Sequence, residues 1–312
     1  MNILVAGGAG FIGSHLIDAL LSEEHSIICA DNMVLGNTDN IAHLKENKNF
    51  VFMKCDLSKQ ENTDFIFKKY NIDMVYHLAA NSDIQKGALQ PDIDFYDTFM
   101  TTRCILESMR KFNVKKLFFA STSAVYGEMC DVNLEETTGG IKPVSYYGGA
   151  KLASEAMIYS YCSMNDLKVV IFRFPNVIGP RLTHGVIYDF VKKLRSNPKK
   201  LQILGDGTQC KPYLHVFDLV NGIMMFTREI KQGAEVYNIG VKSATTVTRI
   251  AEIVRDKMGL KNTSFEYTGG DRGWKGDVPK FEYDISKITD AGWRPTMSSD
   301  EAVETTVEEV LK

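Results

Sequence analysis

Short apolar runs alternate along this chain with longer stretches in which apolar and polar positions mix. Residues 3–6, 26–30, 50–54, 74–78, 116–120 and 169–174 are rich in Val, Ile, Leu and Phe, and each run predicts a short buried strand. Between them, 11–22, 63–70, 95–113 and 147–164 predict helices. A strand–helix series of this kind predicts an α/β fold, a Rossmann-like doubly wound parallel sheet with helices on both faces. The two long helices, 95–113 and 147–164, carry apolar residues that either cover the sheet or pair with a second subunit.

The pattern changes after Pro175. Pro175, Gly179-Pro180 and Gly185 break the alternation. A helix at 186–195 and a hairpin-like segment at 201–208 follow. Residues 236–239 then predict a strand that returns to the main sheet. The remainder, 245–312, mixes helices with a loop rich in Gly, Asp and Trp. The expected organisation is a sheet domain from 1–174 plus 213–241, and a smaller mixed α/β lobe from 175–212 plus 242–312.

Composition narrows the function classes. A formal net charge of −3 argues against a nucleic-acid-binding surface. No apolar run approaches a membrane span. A strand begins at the first residues and leaves no room for a signal peptide, so a cytoplasmic protein is expected. Cys29, Cys55, Cys104, Cys130, Cys162 and Cys210 form no CxxC pair and read as reduced thiols. The histidines do not cluster with acids or cysteines at ligand spacing, so no metal site is expected.

The first candidate chemistry lies at the end of the first strand. Gly7-Gly-Ala-Gly10-Phe-Ile-Gly13 stands between that strand and the first helix. Strand, glycine turn and helix together hold a dinucleotide pyrophosphate. Residues without Cβ let backbone N–H groups approach the phosphates, and the helix N-terminus adds partial positive charge. Asp31 ends the second strand, where a carboxylate accepts hydrogen bonds from both adenosine ribose hydroxyls and repels a 2′-phosphate. Its neighbours Ala30, Asn32 and Met33 offer no cation to such a phosphate. NAD is therefore expected rather than NADP. Asp56 ends the third strand, where it either meets the adenine edge or caps the following helix.

The second candidate chemistry is Tyr147-Gly-Gly-Ala-Lys151. Four residues apart on a helix, the two side chains share a face. A lysine ammonium beside a phenol lowers the tyrosine pKa and makes it a general base for a sugar hydroxyl. Lys151 is also placed to hydrogen-bond the nicotinamide ribose. Ser121-Thr-Ser-Ala-Val-Tyr-Gly127 lies at the end of the fifth strand, the end at which open α/β sheets bind ligands. Thr122 there supplies a hydroxyl to bridge the substrate oxygen and Tyr147. Ser121, Thr122 and Ser123 can equally serve as caps or turns.

These motifs, with His77-Leu-Ala-Ala80, Arg173-Phe-Pro-Asn-Val-Ile-Gly-Pro180, Gly205-Asp-Gly-Thr-Gln209 and Tyr213-Leu-His-Val-Phe-Asp218, occur together in order. The chain resembles the extended short-chain dehydrogenase/reductases that modify nucleotide sugars, and within them the UDP-glucose 4-epimerase branch. The resemblance implies that Thr122, Tyr147 and Lys151 are catalytic, Tyr147 taking the C4 hydroxyl proton while NAD takes the hydride. It implies a tightly held NAD touched by Gly7, Gly10, Phe11, Ile12, Gly13, Asp31, Asn32, Asp56, Leu57, Leu78, Ala79, Ala80, Ser121, Tyr147, Lys151 and Val177. For the nucleotide-diphosphate sugar it implies Ser123, Asn176, His184, Val186, Gln209, Lys211, Arg272 and Asp277. Arg272 and Asp277 otherwise read as a solvated loop, and His184 as a loop histidine without a role. A homodimer is a further expectation from the family.

Departures from the family pattern carry information. The 4,6-dehydratases have Asp-Glu directly after the threonine, the acid and base that remove water across C5 and C6; here Ser123-Ala124 stand there. Related uronate decarboxylases have glutamate in the place of Ala124. Many relatives have Asn-x-x-Gly where this chain reads Phe99-Met-Thr-Thr102, and arginine in the place of Lys211, which keeps the charge without the bidentate geometry. The expected activity is 4-epimerisation of a nucleotide sugar. Two alternatives stand beside it. One is a nucleotide-sugar 4-dehydrogenase, acting for example on a GDP-heptose, that releases its keto sugar for capsule or surface polysaccharide. The other is a non-catalytic NAD-binding protein on the same fold.

Overall fold

The computed structural model describes all residues except 130–132, 274–277 and 279. Its centre is a seven-stranded sheet. β1 (Asn2–Ala6), β2 (Ser26–Asp31), β3 (Phe50–Lys54), β4 (Met74–His77) and β5 (Lys116–Thr122) are joined by strands Lys168–Phe174 and Gly233–Asn238. Across the sheet the order is Gly233–Asn238, Lys168–Phe174, β5, β4, β1, β2, β3. The pairs β1–β2, β2–β3, β1–β4 and β4–β5 are parallel. The strand order reverses between β1 and β4, which makes the C-terminal ends of those strands the crevice where such sheets bind ligands.

The strands form where the apolar runs are. β1 buries Ile3, Leu4, Val5 and Ala6, and β5 buries every residue from Leu117 to Thr122. Strands buried on both faces lose the alternation of a half-exposed strand and read as continuous apolar segments. Leu4, Ile28, Val75, Leu117, Phe119 and Ile171 enter one core with Phe67, Ile105 and Ile158 from the helices.

By its contacts the chain divides into two compact units. The first is Met1–Val125, Ile141–Arg173 and Val220–Tyr237; the second is Tyr126–Gly140, Phe174–Leu219 and Asn238–Lys312. Segments 126–140 and 213–219 thus cluster with the second unit, although the sequence pattern groups them with the sheet. The reason is visible in their pairing. Asn133–Leu134 runs parallel to Glu282–Tyr283, and Tyr213–His215 runs parallel to Asn176–Ile178. The second unit has its own core. Ile187, Phe190, Val191 and Leu194 line one face of helix Val186–Ser196 and pack with Ile250, Val254, Val303 and Val307.

Two expected elements differ. The segment at 201–208 is no hairpin: strand Lys200–Ile203 pairs in parallel with Ser264–Tyr267, far along the chain. Gly205 and Gly207, both at positive φ, turn the chain away, and Cys210–Lys211 then pairs antiparallel with Thr245–Thr246. The long helix at 95–113 is composite, a π-helix over Asp94–Met100 that continues as α-helix Thr101–Lys111. No helix among the described residues is long and apolar enough to cross a membrane.

In the second unit, the Asp218 carboxylate is nearly buried and accepts from Thr296 N at 3.0 Å and Thr296 Oγ1 at 2.7 Å. Asp218→Ala strands both donors and is expected to cost about 1–3 kcal/mol of stability. Urea titration of the two proteins checks this; an unchanged midpoint would show that the donors find other partners.

Candidate active site

The glycine turn is built by backbone touching backbone. Gly7 has φ +78°, and a Cβ on it would lie 2.6 Å from Ala79 N. A Cβ on Gly13 would lie 2.3 Å from the Gly7 carbonyl oxygen. Both positions therefore require glycine. The turn is tied to β2 from either side. Gly7 N donates to Ala30 O at 2.8 Å, and Ala9 N donates to Asp31 Oδ2 at 3.1 Å. Asn37 N and Asn40 Nδ2 each donate to Ala9 O at 3.0 Å.

Asp31 is therefore fixed in place. Met33 N donates to its other oxygen at 2.8 Å. Burial raises its pKa, against the two backbone hydrogen bonds that lower it. Asn32 holds its own turn by accepting from Val34 N at 3.0 Å. Phe11 and Ile12 lie in the first turn of helix Phe11–Ser22, and Leu78, Ala79 and Ala80 follow β4 directly, all half-buried. Leu57 is buried. Asp56 accepts from Ser58 N at 2.9 Å and Ser58 Oγ at 2.6 Å, so its carboxylate makes the turn that precedes helix Gln60–Tyr70.

The second cluster joins the end of β5 to helix Tyr146–Asn165. Ser145 starts that helix by accepting from Gly148 N at 3.1 Å. A Cβ on Gly148 would lie 2.6 Å from the Ala124 carbonyl oxygen, so the missing side chain is what lets the helix start against the β5 turn. The Thr122 hydroxyl lies close enough to the Tyr147 phenol to act on its proton affinity. Lys151, buried, donates from Nζ to Ala120 O at 2.6 Å and lies 4.7 Å over the Phe119 ring. Ser121 is buried and donates to Glu155, and Ser123 and Ala124 follow in a short turn, where Ala124 N donates to Thr122 Oγ1 at 3.2 Å.

The electrostatics correct one expectation. Spacing predicts that Lys151 lowers the Tyr147 pKa. Instead burial pushes the phenol up to about 12, with the neighbouring Thr122 hydroxyl opposing and the Asp94 carboxylate adding to the rise. Burial also pushes Lys151 down to about 7, with Glu155 opposing. Desolvation is the largest cause of both shifts.

His77 ends β4 and is buried. Thr102 Oγ1 donates to Thr98 O at 2.8 Å, which uses its single hydrogen, so the 2.9 Å contact with His77 Nε2 has the imidazole as donor. Burial, then the Lys151 charge, hold His77 neutral with a pKa well below its ordinary value.

In the second unit, Asn176 and Val177 lie on the strand beside Tyr213 and Leu214. His184 is exposed and touches Thr183 Oγ1 at 3.3 Å; Val186 is half-buried against the unit's core. Gln209 is buried, its amide under the Leu204–Gly205 turn, with Oε1 lacking a protein partner. Lys211 sits on a two-residue strand opposite Thr245. Arg272 makes a two-point ion pair with Glu128, with Nη1 to Oε2 at 3.2 Å. Asp277 lies outside the described residues.

Residues 3–240 match the NAD dependent epimerase/dehydratase family. The chain belongs to that family. It is 31% identical over 310 residues to a putative UDP-glucose 4-epimerase of Methanocaldococcus jannaschii, covering 98% of this chain and 97% of that one. Among solved structures it is similar to a UDP-galactose 4-epimerase (35% identity, TM-score 0.87, 100% and 99% covered). It is also similar to the Thermus thermophilus UDP-glucose 4-epimerase complex with NAD (29% identity, TM-score 0.88, 100% and 99% covered). The protein is thus an NAD-dependent enzyme. The glycine turn, closed to a Cβ at Gly7 and Gly13, and the anchored Asp31 fit that cofactor's pyrophosphate and ribose. Among the described residues no His, Cys, Asp or Glu cluster of metal-site size exists. Cys29, Cys55, Cys104, Cys162 and Cys210 are free thiols.

Sequence reading missed several residues at this site. Glu155 continues the four-residue spacing of Tyr147 and Lys151, and an acid on the buried face of a helix was its signal. Gly148 and Asp94 had none, because each matters through a contact made only in the fold.

Two stability effects follow. Gly148→Ala forces the helix off Ala124 and is expected to cost about 1–3 kcal/mol, read as a lower denaturant midpoint. Lys151 has a folded pKa of about 7, below its ordinary 10.5. Its burial therefore opposes folding fully below the folded value and progressively less as pH rises toward the ordinary one. Lys151→Met should raise the melting temperature of the cofactor-free protein, with a larger gain at about pH 6 than at about pH 9. A gain that does not shrink with pH would contradict the titration.

Proposed function

We propose that this enzyme is a nucleotide-sugar 4-epimerase. The observation that carries the reading is the Thr122–Tyr147 contact beside Lys151, with Ser123 and Ala124 in the adjoining turn. Tyr147 is the group that takes the C4 hydroxyl proton and later returns it. A phenol whose proton affinity is raised by burial is well matched to an alcohol, itself a very weak acid. Thr122 bridges Tyr147 and the sugar oxygen. Lys151 holds the β5 end through Ala120 and presents its charge to the cofactor ribose. NAD, when bound, supplies the hydride acceptor that makes C4 a ketone and can give the hydride back to the other face.

The turn Ser123–Ala124 supplies neither of the two acidic groups that elimination of water requires, so the site supports oxidation and re-reduction rather than dehydration. The glycine turn, Phe11, Ile12, Asp31, Asn32, Asp56, Leu57, Leu78–Ala80, Ser121 and Val177 are assigned to the cofactor. Ser123, Asn176, His184, Val186, Gln209, Lys211 and Arg272 are assigned to a nucleotide-diphosphate sugar, with Asp277 as a further candidate. Names of relatives such as UDP-glucose 4-epimerase support a uridine nucleotide. Phe95, Tyr96, Tyr159 and Met164 are exposed on the two long helices of the first unit, which supports a homodimer built on that face.

Purified protein incubated with UDP-, GDP-, CDP- and dTDP-sugars should convert one of them to its 4-epimer with no net change in total NADH. Accumulation of a keto sugar with NADH would instead establish the 4-dehydrogenase. Tyr147→Phe should lower turnover by about 100- to 10,000-fold and leave NAD binding intact. Full turnover in that variant would remove Tyr147 from the proton transfer.

A further inference from the structure

Three residues spaced by four on helix Tyr146–Asn165 each meet the last residues of β5. Tyr147 neighbours Thr122, Lys151 donates to Ala120 O at 2.6 Å, and Glu155 accepts from Ser121 Oγ. These contacts are rungs between one helix face and one strand end, spaced about 6 Å apart along the helix. The third rung is anchored from behind. Arg173, on the neighbouring strand, donates from Nε to Glu155 Oε1 at 3.1 Å and from Nη2 to Oε2 at 2.7 Å. Ser121, Glu155 and Arg173 are all nine-tenths or more buried. A buried ion pair of this kind is weak support for stability, because hydrophobic residues of similar volume often replace it without loss. Its retention at this place calls for another reason, and the contact with Ser121 provides one.

We propose that Glu155 is a positioning residue for the reaction: clamped by Arg173, it holds Ser121, and so fixes the register of the β5 end against the helix that carries Tyr147 and Lys151. Glu155 does not touch the reacting atoms. It lies about 12 Å along the helix from Tyr147 and acts through the strand. Thr122 directly follows Ser121, so a strand end released at Ser121 lets the Thr122 hydroxyl move relative to Tyr147. A misplacement of that kind, on the order of 1 Å, lowers turnover without lowering substrate affinity to the same degree. The same carboxylate is the group that opposes the effect of burial on Lys151. The inference rests on the proposed roles of Thr122 and Tyr147.

The test compares two paired variants that both remove the buried charges. Glu155→Met with Arg173→Met takes away the acceptor for Ser121. Glu155→Gln with Arg173→Met keeps one. The Met pair should lower kcat about 10- to 100-fold while KM for the nucleotide sugar stays within about threefold, and the Gln pair should recover most of kcat. Wild-type kcat in the Met pair, or equal loss in both pairs, overturns the proposal, since a merely structural ion pair would not distinguish Met from Gln. Backbone amide exchange over residues 121–124 gives a readout that needs no substrate: faster in the Met pair than in the Gln pair is expected, and equal rates overturn the proposal. If wild type turns over none of the sugars, the functional reading fails by itself and exchange alone decides the positioning role. If the Met pair does not fold, Ser121→Ala, which leaves Glu155 and Arg173 paired, must show the same faster exchange, and unchanged exchange overturns the proposal.

Discussion

The site depends on how closely backbones approach one another without side chains between them. Gly7 and Gly13 close the turn after β1 against Ala79 and against each other, and Gly148 lets a helix start on the Ala124 carbonyl. An α-helix ordinarily stands off a strand by the width of the side chains between them. Where one residue lacks Cβ the separation shrinks locally, and functional groups on the next residue come within reach of the strand. Tyr147 directly precedes Gly148, and that adjacency brings the phenol to Thr122.

Burial follows from the same closeness, and it governs the chemistry. Lys151 is buried and Tyr147 half-buried, and desolvation pushes each toward its neutral form. The site holds a phenol with high proton affinity and a lysine that titrates near neutrality. This opposes the fold's stability, since a lysine in the core must give up its proton or its hydration. Sites of this type trade stability for pre-set protonation states.

Much of this was legible in the sequence. The central strands were visible because strands buried on both faces are continuous apolar runs, whereas β3 and Gly233–Asn238 are only partly buried. Asp31 and the glycine turn were visible because one helix separates them along the chain and sets their two strands side by side. Contacts across distant segments left no such mark. The parallel pairing of Lys200–Ile203 with Ser264–Tyr267 looked like a hairpin because two glycines follow it, and turn residues alone do not say where the chain goes next. The π-helix at Asp94–Met100 reads like any amphipathic helix. The lysine's effect on the tyrosine was misjudged because helical spacing shows proximity and not depth below the surface. Arg272 was identifiable as a cation in a glycine-rich loop, but not that Glu128 pairs with it.

Asp31 illustrates what tight local bonding does for a ligand that has yet to arrive. Its carboxylate is held by Ala9 N and Met33 N, on a segment whose own turn is pinned by Asn37 and Asn40. The rotamer is selected when the chain folds. For the ribose hydroxyls proposed to reach it, Asp31 is an acceptor already immobilised, which would spare the roughly 0.5–1.5 kcal/mol that freezing a mobile side chain costs. The entropy of ordering this side chain is lost in the folding step and not in the binding step.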